Sequence, residues 1–167
     1  SNENLSALGC LGSDERQSQW YTFTVDQTGS FEFMLSPTVA SDDYDWAIFD
    51  ITTSGCALTP GGAAAGGATQ VACDYSGCSG TTGLSNNQNT NFGTSGGLGV
   101  GQWQNNNPPG PGDCFSGAQW NPAITLTAGN TYAFIIDNFS TTNSGFDLTF
   151  GAANTAVIGQ DGDFTSS

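Results

Sequence analysis

Trp20-Tyr21-Thr22-Phe23-Thr24-Val25, then Asp26-Gln27-Thr28-Gly29, then Ser30-Phe31-Glu32-Phe33-Met34-Leu35, is the stretch that decides the fold class. The first run puts Tyr21, Phe23 and Val25 on one face and the threonines on the other. The second does the same with Phe31, Phe33 and Leu35. Alternation of this kind is the period of a half-buried strand, since successive side chains of a strand point to opposite faces. The four residues between the runs end in a glycine, which suits a turn needing positive φ. The pair therefore predicts a β-hairpin.

The same alternation recurs outward from this stretch. Asp45 to Ile51 sets Trp46 and Ile48 against Ala47 and Phe49, apolar on both faces, as a strand buried in mid-sheet must be. Thr69 to Ala72 predicts a short strand. Ala123 to Thr127 and Thr131 to Asp137 flank Ala128-Gly129-Asn130 and predict a second hairpin. Gly145 to Phe150 turns Phe146, Leu148 and Phe150 to one side, and Ala156 to Ile158 reads as an edge strand. No stretch has the period of an amphipathic helix. Short strands joined by Gly-rich turns predict an all-β, antiparallel β-sandwich. Its expected core is Tyr21, Phe23, Val25, Phe31, Phe33, Leu35, Ile48, Phe49, Phe134, Ile136, Phe146 and Leu148.

A chain of 167 residues is expected to form one domain with a real core. Residues 1–155 are assigned to the sandwich module and 156–167 to an edge strand or linker tail. Within the module, 54–119 reads largely as a loop insertion. Ser54 to Gly67 and Gly77 to Gly117 are loops by composition, Asn86 to Asn91 is nearly all amide, and Asn105 to Gly112 is Asn, Pro and Gly. Loops of this length in a compact domain are functional or disordered.

Fifteen acidic residues face a single cation, Arg16, with no Lys and no His, for a net charge of −14. Without His, neither Ser-His-Asp catalysis nor a histidine-ligated zinc can be built. Without Lys there is no Schiff base and no P-loop lysine. The charge excludes a nucleic-acid backbone as partner and opposes an anionic membrane surface. No apolar run approaches the length of a membrane span, so direct membrane insertion is not expected. Carboxylate pairs are inevitable among fifteen acids, so they do not by themselves point to glycoside hydrolysis. We expect no enzyme activity. Arg16 is expected to pair with a neighbouring acid such as Asp14.

The cysteines are Cys10, Cys56, Cys73, Cys78 and Cys114. None lies in a CxxC pair, and no His completes a zinc site. They read as a disulfide framework formed in an oxidising compartment, with five buried cytosolic thiols as the alternative. The simplest arithmetic pairs Cys56 with Cys73 across a Gly/Ala-rich loop and Cys78 with Cys114 across the next. Cys10 is then left over, with its partner in another chain or segment, although connectivity does not follow from sequence. The N-terminus Ser1 to Cys10 has neither the basic region nor the apolar core of a signal peptide. An exported chain is then expected in a mature or trimmed form.

Ser41-Asp42-Asp43-Tyr44-Asp45 is the densest acidic cluster, directly before the buried strand. Three carboxylates within four positions repel one another unless a cation or solvent intervenes, and hard oxygens at a loop-to-strand junction suit Ca2+. Asp42, Asp43 and Asp45 are therefore candidate ligands. Asp137 and Asn138, at the end of a strong strand, join them if that end lies alongside. Asp50 and Asp74 are weaker candidates. The alternative is a solvated loop in which Asp43 or Asp45 caps a turn. Trp103, flanked by Gln102 and Gln104, is the candidate ligand-binding group: an exposed indole between amides can stack on a sugar and bond its hydroxyls. The alternative is a plug that fixes the long loop to the core. Asn4-Leu5-Ser6 and Asn138-Phe139-Ser140 match the N-glycosylation acceptor pattern.

Several runs carry a family resemblance: Gly9-Cys10-Leu11-Gly12-Ser13, Trp20-Tyr21-Thr22-Phe23, and Asp43-Tyr44-Asp45-Trp46-Ala47-Ile48-Phe49-Asp50. Val71 to Gly77, Leu126 to Tyr132, Ile136 to Ser140 and Gly145-Phe146 extend it over most of residues 9 to 150. The set resembles a β-sandwich module of large secreted Bacteroidetes surface proteins. Such modules are similar to the bacterial pre-peptidase C-terminal domain and occur in gliding-motility-type adhesins exported by the type IX system. The resemblance implies a jelly-roll-like sandwich, an extracellular or cell-surface location, and a non-catalytic module on a longer polypeptide. It also adds weight to calcium near Asp42 to Asp45. The expected partner is a glycan or surface ligand. The alternative is a structural spacer or filament subunit that pairs strands with other copies of itself.

Overall fold

The computed structural model describes residues 9–11, 16–55, 68–87, 92, 119–159 and 165–166. A 3-10 turn at Gly9–Leu11 precedes twelve strands: β1 Gln19–Gln27, β2 Gly29–Phe31, β3 Phe33–Pro37, β4 Tyr44–Asp50, β5 Thr69–Asp74, β6 Thr82–Leu84, β7 Trp120–Asn121, β8 Ile124–Leu126, β9 Thr131–Asn138, β10 Phe146–Phe150, β11 Val157–Ile158 and β12 Thr165–Ser166. The architecture is all-β. The larger sheet runs β11-β1-β9-β4-β5, with β12 also on β1; a second runs β10-β3-β6-β7; β2 and β8 form a separate pair. Among the described residues every strand pairing is antiparallel except β6 with β7, which is parallel.

The strand with two apolar faces is where its sequence demands, between β9 and β5. Its alternation feeds two cores. Trp46 and Ile48 join Phe23, Val25, Phe31, Phe33, Leu35, Leu84, Phe134 and Ile136 in the main cluster, which draws on both large sheets. Phe33 of the second sheet packs edge-on against Trp46 at 4.9 Å and tilted against Phe134 at 4.8 Å. Ala47 and Phe49 point the other way. They form a second cluster with Ile51, Ala68, Cys73, Ala133 and Ile135, against which Cys10, Leu11 and Trp20 pack. The expected core is correct for Tyr21, Phe146 and Leu148, packed against the main cluster, but Phe49 belongs to the other face.

Both predicted hairpins are overturned. β1 does not pair with β2, nor β8 with β9; β2 and β8 pair with each other instead. Glu32 breaks the second run into β2 and β3, and its backbone is held by Asn154 and Gly151 rather than by a ladder. Gly29 is needed for close approach rather than for positive φ: a Cβ there would overlap the backbone of Thr155 and Ala156. The loop reading of 77–117 is also corrected in part, since Thr82–Leu84 is a strand of the second sheet.

Cys10 pairs with Cys73, with Cα atoms 6.4 Å apart at a sequence separation of 63. This replaces the expected Cys56–Cys73 pair and gives Cys10 a partner within the chain. The bond pins the N-terminal turn over the second cluster, and the Cys10 N–H donates to Gln70 Oε1 at 2.8 Å. Cys78 is also disulfide-bonded; Cys56 and Cys114 lie outside the described residues. A loop of this length implies about 4 kcal/mol of stabilisation by the chain-entropy estimate. Cys10→Ser should therefore lower the unfolding free energy in urea by roughly that amount. A loss under about 1 kcal/mol would show that the turn is held without the bond.

Candidate functional site

The antiparallel register of β4 with β9 sets Tyr44 opposite Asn138 and Asp45 opposite Asp137. One step earlier, the Asp43 carbonyl accepts from the Phe139 N–H at 3.0 Å, and the Asp43 N–H donates to Ser140 Oγ at 2.8 Å. All five candidate oxygen ligands, Asp42, Asp43, Asp45, Asp137 and Asn138, are thus brought to one end of the central sheet. Strand alternation then divides them. Asp45 and Asp137 share the face of Ala47 and Ile135, while Tyr44 and Asn138 lie on the main-core side.

On the core side the polar groups are largely committed. Asp42, 2% exposed, accepts from the hydroxyls of Thr142 (2.7 Å) and Ser144. Asn138 Nδ2 donates to Tyr44 Oη and to the Thr142 carbonyl, each at 3.1 Å. Tyr44 Oη in turn donates to the Ser144 carbonyl at 2.8 Å. These bonds tie the loop after β9 to the one before β4. Thr141 within it takes a left-handed φ of 55°. Asn138, being 2% exposed, is not presented as a glycan acceptor in this fold.

The opposite face carries the electrostatic tension. Like charges directly across a ladder repel, and Asp45 and Asp137 are both buried, at 9% and 4% exposure. Asp137 is compensated by the chain: its Oδ1 accepts from the N–H groups of Arg16 (2.8 Å) and Gln17 (3.1 Å). Burial raises its pKa, and these bonds and the Arg16 charge pull it back. The Arg16 guanidinium lies 4.4 Å over the Phe139 ring and donates to the Phe139 carbonyl at 3.3 Å; Asp14, its expected partner, lies outside the described residues. Asp45 is pushed up to about 8, first by burial and then by the charges of Asp43, Asp74 and Asp137. Burial raises Asp43 to about 6 and Asp74 to about 7.

Asp74 was a minor candidate in the sequence, yet it is 1% exposed and acts on Asp45 from the adjacent strand. Its Oδ1 accepts from the Ser76 N–H at 2.9 Å, and its Oδ2 from Asn121 Nδ2 at 2.7 Å. Nothing local in the sequence singles out Asn121; only β7 brings it there. Asp50 is at the far end of β4, bonded to Thr52 and Asn130.

Among the described residues, three buried oxygens make no hydrogen bond: Asp43 Oδ1, Asn121 Oδ1 and Asn138 Oδ1. Buried acceptors are normally satisfied, so this end of the molecule has spare oxygen valence as well as surplus negative charge. Among the described residues, however, no three His, Cys, Asp or Glu side chains are grouped to hold a metal ion. A cation here would have to take amide, hydroxyl or backbone oxygens beside one or two carboxylates, a mixture that calcium accepts. Gln102, Trp103 and Gln104 lie outside the described residues. No family model, no curated protein and no solved structure matches the chain.

Proposed function

We propose that this chain is an extracellular, non-catalytic binding or adhesion module of a larger cell-surface or secreted protein, stabilised by calcium at the acidic end of its central sheet. The observation that carries this reading is the uncompensated Asp43–Asp45 group with an orphaned buried oxygen on Asp43. Asp43 and Asp45 would hold the ion, with backbone oxygens completing its shell; Asn138 is turned to the other face of the sheet. Calcium would supply positive charge and coordination, not chemistry. The Cys10–Cys73 bond fits an oxidising compartment. The jelly-roll-like topology and the kinship with gliding-motility-type adhesins, exported by the type IX system, belong to the same proposal and rest on the sequence resemblance. A glycan or surface ligand is assigned to the segment containing Trp103, Gln102 and Gln104, on the sequence pattern alone.

The test is a thermal melt in millimolar calcium and in chelator. At a hundredfold excess over the dissociation constant, a ligand of the folded state adds about 2.7 kcal/mol, a rise of several degrees for a domain of this size. The rise should vanish in Asp43→Asn. Equal melts in calcium and chelator would remove calcium from the reading. Glycan binding that quenches tryptophan fluorescence in the native chain, and not in Trp103→Ala, supports the ligand assignment.

A further inference from the structure

The loop after β9 brings an oxygen-rich group to the core face of the central sheet. Its members are Asp42, Tyr44, Asn138, Thr142 and Ser144. Asp42, Tyr44 and Asn138 are buried, and Thr142 and Ser144 are half-buried. Three of the oxygens close a triangle. Thr142 Oγ1 lies 2.7 Å from Asp42 Oδ2 and 2.7 Å from Ser144 Oγ, and Ser144 Oγ also bonds Asp42 Oδ2. Each side of such a triangle needs a proton between its two oxygens. A hydroxyl carries one and a carboxylate none, so two protons serve three sides. Whichever way the hydroxyls turn, one pair of oxygens meets lone pair to lone pair.

The neighbouring donors do not close the gap. The Tyr44 hydroxyl gives its proton to the Ser144 carbonyl at 2.8 Å. The Asn138 amide has two N–H protons facing three oxygens, Tyr44 Oη, the Thr142 carbonyl and Thr142 Oγ1, each at 3.1 Å. Its own Oδ1 makes no hydrogen bond, against the rule for buried acceptors. Arg16, the one Lys or Arg of the chain, is turned to the ring and carbonyl of Phe139. The group is rich in oxygen and short of positive charge.

We propose that this group binds a monovalent metal cation, sodium, through Asp42 Oδ2, Thr142 Oγ1 and Ser144 Oγ. A half-turn of the Asn138 amide puts Oδ1 in the place of Nδ2, 3.1 Å from Thr142 Oγ1, and supplies a fourth ligand. The amide has one unbonded end in either orientation. The charge fits one unit. Sodium beside the single carboxylate leaves the buried group neutral, whereas calcium would leave a net positive charge where burial makes it costly. Uncharged oxygens are ordinary ligands of sodium, and the close spacing of the triangle calls for a small ion. The ion is structural: it joins the loop after β9 to the one before β4 where a proton is missing. Asp45 stands on the opposite face of the sheet and takes no part. The sodium site and the calcium reading therefore stand or fall separately.

Thermal melts of the full chain test it, in chelator so that calcium is absent, with sodium chloride against choline chloride at the same ionic strength, about 0.15 M, so that screening is equal. Sodium should raise the melting temperature over choline by about 3 °C, the effect of a ligand at roughly tenfold its dissociation constant on a domain of this size. Asp42→Asn should abolish the difference. Ser144→Ala separates an ion from an ordinary hydrogen bond. It removes an oxygen that the ion needs, but it also removes the pair of oxygens without a proton. It should therefore lower the melt in sodium and leave it level or higher in choline. If that variant does not fold, Thr142→Val replaces it with the same expectation. Melts of the native chain that coincide in the two salts, or a Ser144→Ala loss equal in both, overturn the proposal. So does calcium that stabilises Asp43→Asn in choline and no longer does once Ser144→Ala is added, because the group would then take a divalent ion.

Discussion

In chelator, the protein loses stability as pH rises from about 4 to about 8. The folded state keeps a proton on Asp45 up to about pH 8, whereas the unfolded chain gives it up near 3.8. Between those values the folded state binds more protons than the unfolded one, and stability falls with pH wherever that holds. The stabilising proton is fully in place below about pH 4 and is lost through about pH 8. The span corresponds to a loss on the order of 5 kcal/mol. Asp74, raised to about 7, adds in the same direction over a narrower window. Most acidic proteins do the reverse and weaken as their paired carboxylates protonate. The melting temperature should therefore drop by roughly 10 °C or more from pH 5 to pH 8. Asp45→Asn, neutral and of nearly the same shape, should flatten the profile and melt higher than the native chain at pH 8. Millimolar calcium should flatten it too, because a cation replaces the proton as the source of compensation. A melting temperature that is level or rising across this range in chelator would show that Asp45 is ionised in the fold, with its charge met in some other way.

Gly83→Ala carries the second large effect. Gly83 lies in β6 with a φ of 155°, opposite Met34 of β3 and beside Trp120 of the parallel strand β7. A Cβ here would overlap the Phe33 carbonyl oxygen and come within 3.1 Å of the Trp120 ring. Neither is a flexible chain end that can step aside. The Phe33 backbone carries a ring in the middle of the main core, and Trp120 is 3% exposed. The strand must separate from its neighbours, and a loss of about 4 kcal/mol or more is expected, the scale of backbone strain and core overpacking combined. Gly129→Ala is the control. That glycine has a φ of 82° and open space around it, so only the left-handed backbone penalty applies, about 1 kcal/mol. Urea denaturation of the two variants separates steric exclusion from conformational preference. Similar losses would mean that β6 shifts away from β3 at little cost.

The two positions show how much of the molecule could be read from its chain. Acidic residues at 42 to 45 and at 137 are plain in the sequence, and so is the suspicion that they meet. That Asp45 faces Asp137, while Asp42 is taken up by Thr142 and Ser144, depends on a register between strands almost ninety residues apart. Asp74 and Asn121 were harder still, because their meeting needs two edges from different sheets to come together. Gly83, in a stretch that composition assigns to a loop, gives no sign of being irreplaceable until its neighbours are known.

The chain by itself determined where most of the strands lie, though not β6 or β7, and which side of the alternating ones is buried. Tyr21, Phe23 and Val25, or Phe31, Phe33 and Leu35, could not sit otherwise, because a one-residue slip would expose every ring. It determined as well that β4 is central, since Trp46 and Phe49 cannot both be buried at an edge. Tertiary structure decided which strands are neighbours. Alternation specifies a face but not a partner, and Asp26 to Gly29 bridges two sheets as readily as it closes a hairpin. The same limit holds for the cysteines: Cys10 finds Cys73 because the N-terminal turn is laid across the second core, a placement that spacing along the chain does not encode.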